Sequence, residues 1–197
     1  PLPNRAVQHG FHGVAVDDGV ITERMIHAVY CAWRVATLVP DDRPARVLEI
    51  GAGLGYAAYY AGEFGVRDYT IVDLPMTNVA QAYFLGRSLG PDRIVLEGEK
   101  DETDSADTIK IRTPRAMRDA RLAFDLILNV DSLTEFGIAQ ASEYADRILE
   151  LGPVLLSINH EANAFTVADL FSSRSARIDR FPYWLRAGYV EEIIRPS

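Results

Sequence analysis

Val47-Leu-Glu-Ile-Gly-Ala-Gly-Leu-Gly55 runs an apolar strand into a turn with glycine at 51, 53 and 55, and Tyr69-Thr-Ile-Val-Asp73 ends a second apolar strand in a carboxylate. With a helix between them, the two stretches form the strand–helix–strand unit of a parallel sheet. There, glycines let the backbone approach a ligand, and the acid at the second strand's tip accepts hydrogen bonds from ribose hydroxyls. The pair predicts a nucleoside site on the carboxyl edge of an α/β sheet.

Two ligand classes compete for such a site. A dinucleotide fold expects G-x-G-x-x-G, its third glycine packing helix against strand while the helix N-terminus holds a pyrophosphate. Counting from Gly51, that third position is Tyr56, and the glycine falls one residue early at Gly55. The strand also carries Glu49, two residues ahead of Gly51. A carboxylate there repels a pyrophosphate but suits a nucleoside bearing an amino group or a sulfonium. Glu49, Gly51, Gly53, Gly55, Asp73 and its neighbour Leu74 are therefore the expected cofactor-binding set.

The 197 residues, 48% hydrophobic, suffice for one domain around a single core. A net charge of −8 argues against a nucleic-acid partner, which would need a basic face. The one cysteine, Cys31, excludes an internal disulfide and a multi-cysteine zinc site and fits a reducing, cytoplasmic setting. Lying in an apolar helix, it reads as a buried, inert thiol. No apolar run is long enough to span a bilayer and no signal peptide is visible, so no membrane partner is expected. The chain begins at Pro1 rather than methionine, which leaves residues ahead of it open.

Residues 1–20 read as an irregular lead-in, and apolar residues from Met25 to Thr37 recur at a helical period that stops at Pro40. Residues 1–40 are expected to belong to the same domain as 41–197, their helix packing on the sheet or covering the cofactor. Strands are predicted at 46–50, 69–73, 93–97, 124–129 and 153–158, with a short β segment at 108–112 and a last edge strand within 180–194. Helices are expected up to Gly65, over 76–88 and over 133–150, and the polar stretch 100–107 reads as a mobile surface loop. The alternation implies a mainly parallel sheet with ligands at its strand tips.

Those tips also carry Gly98-Glu99, Asn129 to Ser132 and Asn159-His160-Glu161. Ser132 and Glu135 form S-x-x-E, which either caps the next helix or adds Glu135 to the site. Asp131 is not needed by that cap, and Asn129 is placed to hold the cofactor's amino-acid portion. Deprotonating a hydroxyl falls to His160, oriented by Glu161, or to Asp131. Asp131, Glu135 and Glu161 are also hard oxygen donors for a divalent metal, though their spacing specifies none. His9 and His12 could close over a substrate; His27 reads as packing or surface.

Together these segments resemble the class I S-adenosylmethionine (SAM) methyltransferases, and within them the sugar O-methyltransferases of bacterial polysaccharide and glycoconjugate clusters. The similar stretches are 47–55, 69–75 with Gln81-Ala-Tyr-Phe-Leu85, Asn129 to Glu135, Ser157 to Glu161 and Tyr183 to Glu192. Phe136 departs from the methionine expected there, and the region after the fifth strand leaves little material for a sugar-binding cap. The resemblance implies a three-layer Rossmann-like fold with a seven-stranded sheet whose last strand is antiparallel. It further implies SAM as donor, S-adenosylhomocysteine as product, Glu49, Asp73, Glu99 and Asn129 among the cofactor contacts, and a sugar hydroxyl as acceptor. Another small-molecule hydroxyl (polyketide or phenolic), a non-catalytic SAM-binding protein and an NAD-dependent oxidoreductase are the alternatives. A homo-oligomer is compatible with the sequence.

Overall fold

The computed structural model describes residues 13–17, 19–99, 107–119 and 123–197; His9, His12 and the stretch 100–106 lie outside them. The diagnostic unit is present as β3 (Arg46–Ile50), α2 (Tyr56–Glu63) and β4 (Asp68–Val72), with β3 and β4 parallel. Before it come a hairpin of β1 (Gly13–Val16) and β2 (Gly19–Thr22) and the long helix α1 (Glu23–Leu38). Thr22 caps α1 by accepting the Met25 N–H at 3.3 Å, and the helix stops just ahead of Pro40. Part of the expected irregular lead-in is thus a hairpin.

After β4 follow α3 (Pro75–Leu89), β5 (Ile94–Leu96), β6 (Ile109–Arg112), α4 (Pro114–Asp119) and β7 (Leu126–Val130). The chain closes with α5 (Ile138–Leu151), β8 (Leu155–His160), α6 (Val167–Phe171), β9 (Ala176–Pro182) and β10 (Tyr189–Pro196). The sheet has eight strands, one more than expected, in the order β5-β6-β4-β3-β7-β8-β10-β9. The sequence reading left the order of 93–97 and 108–112 in the sheet open and put the last strand at an edge; the structure settles both. The fully buried β6 takes the position beside β4, pushing β5 to the edge, because Ile109 and Ile111 insert into the core and the three-residue β5 does not. At the other end β10 runs antiparallel between β8 and β9, so the closing strand is interior and β9 forms the edge.

The sheet's two faces bury separate cores. Val47, Tyr69, Ile71 and Leu128 pack toward α1, α2 and α3, whereas Leu48, Ile50, Ile127 and Leu155 pack against α5 and α6. Alternation along β3 puts Glu49 on the same side as Val47, facing α1. One carboxylate has been folded into an apolar face.

Candidate functional site

A cavity of about 490 Å³ opens above the carboxyl ends of β3, β4 and β7 and is roofed by α1. Its volume falls in the range of small-molecule sites. Of the predicted residues, Glu49, Gly51, Gly53, Asp73, Leu74, Asp131 and Glu135 line it.

The three glycines are required for three different reasons. All have positive φ. A side chain at Gly51 would also strike Ser132, whose Oγ lies 2.3 Å from the place of a Cβ. At Gly55 it would press on Leu85 at 2.9 Å, where α2 begins in the left-handed region. At Gly53 it would meet nothing within 4 Å, so the space above that residue is open to a ligand.

Asp73 is fixed by three donors: the N–H of Gly53 (3.2 Å), the N–H of Leu74 (2.7 Å) and the Gln81 side-chain amide (2.9 Å). A carboxylate accepts about four hydrogen bonds, so capacity remains for a ligand hydroxyl. Gln81, fully buried, also donates to the Gly53 carbonyl at 2.9 Å and so ties the glycine turn to the acid. Glu49 is 3% exposed, and its Oε2 accepts from the Tyr69 hydroxyl at 3.0 Å. Burial raises its pKa to about 8. Among the described residues no lysine or arginine pairs with it.

Asp131 stands at the tip of β7 with φ 55, the one non-glycine residue at positive φ among those described. Such backbone strain persists where the surroundings hold a side chain in place. Here Arg186 donates to its carboxylate at 3.0 Å and Tyr189 at 3.3 Å, while burial pushes its pKa up. Arg186 also binds Glu23 at the start of α1 (2.6 Å), joining the cavity's roof to its acidic wall.

Other predicted residues lie elsewhere. Asn129 is fully buried with its amide committed to the Ile50 carbonyl, Ser132 and Asn159, so it braces the rim. Ser132 donates to the Ile50 carbonyl and caps no helix: a short 3-10 turn follows it, and α5 begins only at Ile138. The S-x-x-E therefore forms no capping box, and Glu135 faces the cavity. Glu99 accepts from the Leu96 N–H at 2.6 Å beside the edge strand β5, away from the cavity. His160 accepts the Ala162 N–H at 3.0 Å and stands edge-on to Tyr189, outside the cavity lining. Glu161 pairs with Arg180 rather than with His160. Among the described residues no group of three metal-ligating side chains comes together.

Arg24, His27 and Cys31 line the cavity from α1, and Arg186 from the turn before β10. The signal in the sequence for the α1 residues was the helical spacing 24, 27, 28, 31, which puts one face of α1 over the glycine turn. His27 bonds to the Tyr183 hydroxyl at 2.6 Å, and burial lowers its pKa to about 4, so it is neutral at pH 7; burial pushes the Cys31 thiol up.

The strand order, the antiparallel β10 and the glycine turn over Asp73 define the class I methyltransferase fold. No family model matches the chain. Over 126 residues it is 29% identical to the ribosomal protein L11 methyltransferase of Geobacter sulfurreducens, covering 64% of this chain and 36% of that protein. The chain thus spans about a third of that relative's length. Among solved structures it resembles the mitomycin 7-O-methyltransferase MmcR, with a TM-score of 0.62 and 15% identity over 87% of this chain and 54% of that one. The magnesium protoporphyrin IX methyltransferase ChlM of Synechocystis PCC 6803, solved with SAM bound, gives 0.60 and 11% over 88% and 80%. The CcbJ methyltransferase of Streptomyces caelestis gives 0.65 and 9% over 86% and 89%.

Proposed function

We propose that this chain is a SAM-dependent O-methyltransferase whose acceptor is a hydroxyl of a sugar or glycoconjugate, acting in the cytoplasm. The observation that carries the proposal is Glu49: a buried carboxylate with no cationic partner among the described residues, lining a cavity beside open space at Gly53. A cationic nucleoside completes that environment and a pyrophosphate does not. Bound SAM would supply a methyl group already activated by its positive sulfur.

The chain's own residues hold and deprotonate. Asp73, aligned by Gln81, and Leu74 would hold the nucleoside, and Glu49 would offset its positive charge. Asp131 lines the same cavity, where its raised pKa brings it toward the range of an effective general base for an acceptor hydroxyl. Arg186 and Tyr189 aim it, and His160 acts at one remove by packing on Tyr189. Glu135 offers a second acceptor for a polyol hydroxyl. No step calls for a divalent metal.

Likeness to the mitomycin enzyme favours a second reading, an acceptor hydroxyl on another small molecule. Transfer of labelled methyl from SAM to a panel of sugar nucleotides and phenolic or polyketide acceptors separates the two. Label on a sugar supports the proposal; label confined to the aromatic acceptors replaces it with the second reading.

A further inference from the structure

The roof of the cavity has two ends. Arg24, His27, Ala28 and Cys31 line it from one face of α1. Cys31 lies at the Glu49 end: after burial, the Glu49 carboxylate is the strongest influence pushing its thiol up. Arg24 lies seven residues earlier, about 10 Å along the helix. Its neighbour Glu23 binds Arg186 at 2.6 Å, and Arg186 binds Asp131 at 3.0 Å. Arg24 therefore belongs to the Asp131 end.

Most charges around the cavity are matched. Asp73 accepts from three donors, Glu49 accepts from the Tyr69 hydroxyl, and Glu23 and Asp131 share Arg186. Arg24 and Glu135 both line the cavity without an ion-pair partner among the described residues, and they do not pair with each other. Arg87 and Arg118 also lack a carboxylate partner among those residues, but neither lines this cavity.

We propose that Arg24 binds a carboxylate on the acceptor, which makes the substrate a sugar of the uronic-acid class. The inference rests on the reading of this cavity as a site for SAM and a sugar hydroxyl. A guanidinium presents parallel N–H donors that fit a carboxylate in two bonds, and one free guanidinium balances one negative charge. Glu135 is left to accept hydroxyls of the same sugar. A nucleotide-linked sugar fits worse. Its diphosphate brings further negative charge toward Asp131 and Glu135, where Arg186 is already shared between two acids. The carboxylate of SAM is the competing claimant for Arg24. It is bonded to the carbon that bears the SAM ammonium, so it stays with the donor's charged end beside Glu49. Helix side chains lean toward the N-terminus, which carries the Arg24 guanidinium away from Cys31 and Glu49.

Calorimetry of the intact chain tests this in two stages, with circular dichroism as the check on folding. SAM is titrated first; the complex with S-adenosylhomocysteine is then titrated with methyl glucuronoside and with its uncharged amide. The acid should bind wild type about tenfold more tightly than the amide. Arg24→Gln should abolish that preference while its affinity for SAM stays at the wild-type value, and Arg87→Gln should keep the preference. Equal binding of acid and amide, or binding of neither, overturns the proposal. Loss of SAM affinity in a folded Arg24→Gln overturns it too, because the guanidinium then serves the donor's carboxylate. A wild type that binds no SAM defeats the underlying donor reading as well, and is told apart because it shows before any sugar is added.

Discussion

Replacing Glu49 by glutamine should make the ligand-free protein less sensitive to rising pH while weakening its hold on SAM. Burial holds the Glu49 carboxyl at about 8, against an ordinary value of 4.5. Below pH 4.5 the folded and unfolded chains both carry the proton, and the group adds no pH dependence. Between pH 4.5 and 8 the unfolded chain ionises while the folded chain stays protonated, so the folded state loses about 1.4 kcal/mol per pH unit. From pH 5 to 7.5 that loss comes to about 3 kcal/mol, or roughly 6–12 °C in Tm for a chain of this size. The amide introduced by Glu49→Gln cannot ionise but still accepts the Tyr69 hydroxyl, so the variant keeps the contact and loses the slope. Urea melts of both proteins without ligand, at pH 5 and 7.5, should therefore diverge by about 3 kcal/mol in the variant's favour. Parallel pH dependences would mean that Glu49 is ionised in the folded chain and already balanced, which would remove the case for a cationic ligand.

Gly51→Ala should destabilise the fold by about 2 kcal/mol or more, because a methyl group meets Ser132 at a positive-φ position; chemical melts will read it. Gly53→Ala meets no atom, so it should cost only about 1 kcal/mol of stability yet weaken SAM at least tenfold by calorimetry. Asp131→Asn keeps a residue that tolerates positive φ, so its melting should shift by less than ~0.5 kcal/mol while methyl transfer falls about 100-fold or more. Asp73→Ala should lower SAM affinity by about 10- to 100-fold, the worth of one hydrogen bond to a charged acceptor.

The glycine turn and Asp73 were legible because each encodes a local backbone or strand-tip requirement that spacing displays directly. The strand order at both edges was not. Whether 94–96 or 109–112 lies beside β4 depends on which segment buries its isoleucines in a core built from distant residues. The rim was half legible. Asp131 and Glu135 follow β7 and reach the cavity, but His160 and Glu161 follow β8 in the same way and do not. The difference is made by β10, which pairs alongside β8 and brings Tyr189 and Arg186 between His160 and the cavity. Arg180, brought beside Glu161 by β9, takes the carboxylate that would have oriented the imidazole. Arg186 itself carried no signal by spacing, since its contacts are 55 and 163 residues away in sequence. His27 was read as packing or surface because a lone histidine on a helix looks the same whether its neighbours are core, solvent or cavity.

Titration calorimetry of the wild-type chain with SAM tests the central claim most directly. The account predicts micromolar binding that tightens between pH 5.5 and 7, as Glu49 gives up its proton to face a cation, and that loses this pH dependence in Glu49→Gln. Absence of SAM binding by the folded protein across that range, or binding of a nicotinamide dinucleotide in its place, would contradict it.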